Sequence, residues 1–209
     1  SRGLLGKRAS VHFIKRYYLR LAQLRCSLGD YAAAEALYMP PELLAAVEKI
    51  GNIEGYFWCY LGAASAALAS RSIEKSAHFL AEAEKCIPAN PSPSLAAQVR
   101  LAHGNLALAR DELDTAETAF REAEGLFRQV GATGHLQGIS DCLACRGEVE
   151  LRRTNVPGVL AVLKECAALA GASGHVDLQV KRLLLESVVL AEGVADKDDL
   201  FRDVLEHLD

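Results

Sequence analysis

Residues Ala97–Val130 read AQVRLAHGNLALARDELDTAETAFREAEGLFRQV, and the spacing of apolar positions within them decides the fold. Leu101, Gly104 and Leu108, and then Leu113, Ala116, Phe120, Ala123 and Phe127, recur at steps of three and four, which puts each set on one face of a helix. The polar break between the sets is short, so the stretch predicts a helical hairpin. Asp111 is positioned to accept the free N–H groups that open the second helix, and Asp114 adds favourable negative charge to its first turn. Gly104 and Ala116 lack bulk where the two helices must cross closely. One such hairpin leaves an apolar face uncovered and needs neighbours of the same kind.

Those neighbours are visible in the punctuation. Gly131-Ala-Thr-Gly-His135 is echoed by Gly171-Ala-Ser-Gly-His175, 40 residues later, and Gly51 and Pro91 fall in the same phase. A second set of turns lies midway between them, at Gly29-Asp30, Arg71-Ser72, Asp111-Glu112 and Thr154-Asn155. Each repeat is therefore helix, tight turn, helix. The expected repeats span about 7–50, 53–90, 93–130, 133–171 and 174–208 of a single domain over 1–209.

Within these, Lys7–Leu28 reads as the first helix and Tyr31–Tyr38 as the second. Met39-Pro40-Pro41 stops the second, and a short helix resumes to Ile50. Ser92 and Pro93 suit the cap and first residue of the helix that follows. Asn155 suits a cap with Pro157 in the first turn, and Lys197–Leu208 reads as a closing helix with a polar outer face, as the end of an array requires. The fold class expected is all-α, a right-handed α-solenoid of about five helix-turn-helix repeats with a C-terminal capping helix.

Composition bounds the function. The 209 residues are 51% hydrophobic and 24% charged, a well-packed soluble composition. A net charge of −4 argues against nucleic acid as the main partner, because phosphate binding needs clustered positive charge. Lys15-Arg16 with Arg20 and Arg25, and Arg152-Arg153, read most simply as solvated helix faces. No membrane insertion is expected, since every long apolar run is broken by charge or Gly. The chain opens Ser1-Arg2-Gly3, and attached domains beyond it are expected.

Six cysteines, at 26, 59, 86, 142, 145 and 166, are scattered along helical pattern, which suits reduced thiols filling a core in the cytoplasm. Cys142-Leu-Ala-Cys145 has ligand-like spacing, but no second pair accompanies it and no strand precedes it. Neither metal nor cofactor is expected. His135 and His175 repeat with the linkers and read as structural, and His103 sits on a packing face. No phosphate-binding loop, nucleophile elbow or zinc-protease motif is present, so the chain reads as non-enzymatic.

The residues resemble the tetratricopeptide repeat family, whose pattern is W-x-x-L-G-x-x-Y, a turn, then Ala, an aromatic, Ala and Pro. Trp58-Cys-Tyr-Leu61-Gly62 carries the first half, and Gly104, Ala116, Phe120 and Ala123 carry the second. Ala34 and Tyr38, Ala83 and Pro88, and Gly147 with Cys166 repeat parts of it. The unit is longer than the common family form, and in that it is similar to arrays of bacterial signalling regulators and kinesin light chains. The resemblance implies a scaffold or adaptor that binds another protein, as a peptide or amphipathic helix, along its first helices. The alternative it implies is a sensory domain of a larger signalling ATPase, kinase or transcription regulator that takes a small effector or peptide. Leu19, Leu61, Leu101 and Ala144 stand where some members place lysines to clamp a carboxylate, so that clamp is not expected.

Register then names the candidate groove. If Ala22, Gly62 or Ala64, Gly104 and Gly147 are the close-packed positions of successive first helices, the residue six before and the one after each face a partner. This selects Arg16, Gln23, Gln98, Asn105, Asp141 and Glu148, with Leu19, Leu61, Leu101 and Leu108 as apolar floor. Trp58 joins them if Ala64 is the packing residue, and is buried between helices if Gly62 is.

Overall fold

The structure, a computed structural model, describes residues 18–50, 53–130 and 135–173. These form helices and turns with no strand among the described residues. In chain order they are α1 (18–27), α2 (Tyr31–Tyr38), α3 (Pro41–Ile50), α4 (Ile53–Ala69), α5 (Ile73–Lys85), α6 (Pro93–Ala109), α7 (Leu113–Gln129), α8 (Leu136–Arg152) and α9 (Val156–Ser173). The chain divides into two compact units, with the boundary between Pro91 and Ser92, inside the Asn-Pro-Ser-Pro breaker. The start of the expected first helix, residues 51–52, the Gly131–Gly134 linker and the expected elements after Ser173 lie outside the described residues.

One turn geometry joins α1 to α2, α4 to α5, α6 to α7 and α8 to α9. Gly29, Arg71, Asp111 and Thr154 each take a left-handed backbone, with φ of 77°, 62°, 62° and 55°. The next residue's N–H reaches back to the carbonyl five positions earlier: Asp30 to Arg25 (2.9 Å), Ser72 to Ala67 (2.8 Å), Glu112 to Ala107 (2.9 Å) and Asn155 to Glu150 (2.9 Å). Such a closure satisfies carbonyls that the helix end leaves orphaned. The residue that donates is itself the N-cap of the next helix. Asp30 Oδ1 accepts from the Ala33 N–H (3.3 Å) and Asn155 Oδ1 from the Gly158 N–H (3.3 Å).

The turn corrects one expectation. Asp111 is not the cap of α7; it occupies the left-handed position, and Glu112 follows it as N-cap without a side-chain cap bond. A short Asx side chain tolerates left-handed backbone, and here the closure needs that residue more than a cap. Gly171 differs as well: α9 runs on through it to Ser173. A glycine inside a helix costs only about 1 kcal/mol and lacks proline's steric stop.

Counting from the left-handed residue, the hairpins bury the same positions. Seven before it stand Ala22, Ala64, Gly104 and Gly147; five after, Ala34, Ser76, Ala116 and Val159; nine after, Tyr38, Leu80, Phe120 and Leu163; and every one is buried. Ala83, Ala123 and Cys166, twelve after, are buried too, whereas Pro41 in the first hairpin has already started a new helix. In the first unit the Tyr38 ring lies against Gly62 and packs with Ala22, Ala34, Ala63 and Ala66. Burial pushes its phenol up to about 12. In the second unit Phe120 and Phe127 fill the space left by Gly104 and Gly138, in a core shared with Ile139, Leu143 and Val149.

Candidate binding site

The register resolves the alternative at α4. Ala64, not Gly62, is the counterpart of Gly104, since both stand seven residues before the left-handed turn residue, while Gly62 receives Tyr38 of the preceding hairpin. Trp58 therefore holds the same register position as Gln98 and Asp141, each thirteen before its turn residue. The position six before is held by Gln23, Ser65, Asn105 and Glu148.

In the first unit Trp58 is half-buried; its indole N–H donates to Glu54 Oε1 one turn earlier (3.2 Å), and its ring meets Phe57 edge-on at 5.1 Å. Gln23 is exposed and accepts from Arg20 Nη1 (3.3 Å). Arg16 lies outside the described residues. Leu61 and Leu101 are packed within their hairpins, at 7% and 9% exposure, so they underlie these positions and do not rim them.

In the second unit α6 and α8 present half-buried Gln98, Asn105, Asp141 and Glu148. Asn105 Oδ1 accepts from the Cys145 thiol at 3.3 Å, which ties the two helices together side chain to side chain. Arg152 Nε donates to Glu148 Oε1 (3.0 Å), and Nη1 of the same arginine donates to the Leu108 carbonyl (2.6 Å), again joining α8 to α6. Gln137 Nε2 donates to Asp141 (3.3 Å). The strip so formed carries an amide, a thiol and carboxylates. It offers hydrogen-bond donors and acceptors of the kind that match a peptide backbone, with carboxylates at its edge to orient a cation.

The cysteines and histidines are built into packing. None of the six cysteines is in a disulfide, and Cys59, Cys142 and Cys166 are buried. Burial, followed by the charges of Cys145 and Glu124, holds the Cys142 thiol well above the ordinary range, so it is a poor nucleophile. His135 caps α8 without a side-chain bond and stacks on Phe127 at 5.7 Å. Among the described residues no group of three or more His, Cys, Asp or Glu is placed to hold a metal ion, and no helix is long and apolar enough to cross a membrane.

Sequence reading missed a charged cluster where α7, α8 and α9 meet. Arg146 on α8 is 8% exposed and donates from Nη1 to Glu124 of α7 (2.8 Å) and to Glu165 of α9 (3.0 Å). Glu124 also receives Arg128 (2.6 Å). Two helical turns on, at the C-cap of α8, Arg153 pairs with Asp114 and Glu117 of α7 and with Glu150 (3.0 Å). The signal was in the sequence: Arg146 interrupts the apolar stripe of Cys142 and Val149, and Glu124 stands between Phe120 and Phe127. Charged residues of opposite sign on facing apolar stripes are the mark of a buried pair.

No protein-family model matches this chain, and no curated protein does. Among solved structures it is similar to BtubC (BKLC) from P. vanneervenii, with a TM-score of 0.65 and 18% sequence identity over 99% of this chain and 89% of that one. At that identity the likeness is one of fold: an all-helical repeat protein.

Proposed function

We propose that this chain is a tetratricopeptide-type module that binds another protein, without catalysis, along the first helices of its hairpins. The observation that carries this reading is the pair of register positions that recurs on α6 and α8. At fixed register, Gln98, Asn105, Asp141 and Glu148 stay half-exposed while their neighbours are buried, and Asn105 and Cys145 bridge the two helices. Supporting the family is the recurrence of one turn and one set of small and aromatic packing residues in successive hairpins, together with Trp58-Cys-Tyr-Leu61-Gly62. The ligand suited to the strip is an extended peptide or a helix, whose backbone or polar flank the amides would bond and whose apolar anchors would bury beside them. Six cysteines outside any disulfide, three of them buried, suit a reducing cytoplasm.

The test is Asn105→Ala combined with Glu148→Lys. Both residues are half-exposed; Glu148 pairs with exposed Arg152, and Asn105 with half-buried Cys145. Partners captured from native lysate by the unaltered protein should be lost or weakened by the double variant at nearly unchanged melting temperature. Undiminished capture would place the binding surface elsewhere.

A further inference from the structure

The exposed face of α1 is of a different kind from the strip on α6 and α8, and it rests on separate observations. Leu24 and Leu28 are 55% and 69% exposed, one turn apart, with half-buried Leu21 completing the stripe. Leu24 stands five residues before its left-handed turn residue. Its counterparts Ala66, Leu106 and Val149 are buried, at 0%, 7% and 0%. Ala66 is covered by Ala34 and Tyr38 of α2, and Val149 packs in the core that α7 supplies. At this register α4 meets α2 in the first unit and α8 meets α7 in the second, each the second helix of the preceding hairpin, and α1 presents the same surface with nothing described on it.

The chemistry of the missing helix is set by what flanks the stripe. Arg20 and Arg25, both exposed, border the leucines on α1, and Arg25 also pairs with Asp30 (3.2 Å) across the turn. Residues 1–29 hold seven Lys or Arg and no Asp or Glu, while the remaining 16 basic residues share the rest of the chain with all 27 acidic ones. Leu21, Leu24 and Leu28 alternate steps of three and four, and the sequence continues that spacing back to Tyr17 and Ile14. Such spacing is the seam by which one helix packs along another. A second copy of this face would bring arginines against arginines. The chain's own precedent is opposite in sign across the contact: α7 brings Asp114, Glu117 and Glu124 to Arg146 of α8 and to Arg153 at its C-cap.

We propose that this face of α1 docks an acidic amphipathic helix from another protein, lying on α1 as α7 lies on α8, with its apolar seam on Leu21, Leu24 and Leu28 and its carboxylates toward Arg20 and Arg25. Like-sign flanks disfavour a self-complementary dimer. A membrane surface would satisfy the charge, but it would not reproduce the helix that covers this register elsewhere in the chain.

The test uses the full chain and two labelled synthetic helices with leucines at alternating three- and four-residue spacing, one flanked by glutamates and one by lysines, together with vesicles of phosphatidylcholine and phosphatidylserine. The glutamate-flanked helix should bind saturably and more weakly as salt rises, and the lysine-flanked one should not. Leu24→Glu with Leu28→Glu should weaken binding by at least about tenfold; these side chains are exposed, so helicity by circular dichroism should hold. Arg20→Glu with Arg25→Glu should exchange the preference toward the lysine-flanked helix. Absence of binding, equal binding of both helices, binding that survives the leucine substitutions, association of the chain with itself through this face, or vesicle binding in place of helix binding would each overturn the proposal.

Discussion

Gly104 on α6 lies so close to Phe120 on α7 that a Cβ added to the glycine would stand 2.5 Å from the ring's Cε1. Phe120 is fully buried and cannot swing away. Gly125, on α7, has nothing within 4 Å of the same virtual atom. Alanine stabilises a helix interior by about 1 kcal/mol relative to glycine, whereas overpacking a core costs about 1–3 kcal/mol. The two glycines should therefore respond with opposite signs. Gly104→Ala is expected to lower the urea midpoint and Gly125→Ala to raise it, and equal shifts would contradict the packing assigned to Gly104.

The turn residues make a second pair of opposites. Gly29 adopts its left-handed backbone freely, but Thr154 holds φ of 55° with a β-branched side chain. That conformation costs an L-residue about 1–2 kcal/mol, of which glycine would return part to the unfolded chain as entropy. Thr154→Gly is expected to raise the melting temperature modestly and Gly29→Thr to lower it. Calorimetry on both variants checks the sign.

These two relationships show where the sequence was legible. The turns at 29, 71, 111 and 154 could be placed because glycine, short polar residues and the end of an apolar period coincide there. The role of Asp111 could not, since an Asx residue serves a cap and a left-handed turn equally well. The positions of Gln98, Asn105, Asp141 and Glu148 followed from counting along helices, but the burial of Leu61 and Leu101 to 7% and 9% exposure did not, because period alone does not say how deep a face sinks. Arg146 and Glu124 escaped notice for a different reason: each pairs with residues 19 to 22 positions away, and only packing brings them together.

Acid should act through Glu117. Its carboxylate accepts from Arg153 and from Arg121 (2.7 and 2.9 Å), and these bonds, Arg153 first, hold it below the ordinary carboxylate range against partial burial. A carboxylate depressed in the folded state stabilises the fold above its unfolded value, and that contribution disappears as pH falls through the folded one. The melting temperature is thus expected to be level near neutrality and to fall as the pH passes down through and below the ordinary carboxylate range. Glu117→Gln should melt lower at neutral pH with a shallower acid decline. An unchanged slope would assign the acid sensitivity to other carboxylates.

Arg146 separates the value of a buried pair from the cost of breaking one. Its Nη1 serves both Glu124 and Glu165, while its Nε is buried without an acceptor, so burial of the guanidinium is only partly compensated. Removing the arginine alone leaves Glu124, at 10% side-chain exposure, with Arg128 as its remaining partner. Breaking such a buried pair from one side costs about 3–5 kcal/mol, yet replacing both members by apolar residues of similar volume is often neutral. Arg146→Met is therefore expected to destabilise strongly, and Arg146→Met with Glu124→Leu to recover most of the loss. Glu165 is 43% exposed, so Glu165→Gln should change stability by less than about 1 kcal/mol. A double-mutant cycle by urea denaturation measures all three, and additive losses at Arg146 and Glu124 would show that the two residues do not act as a pair.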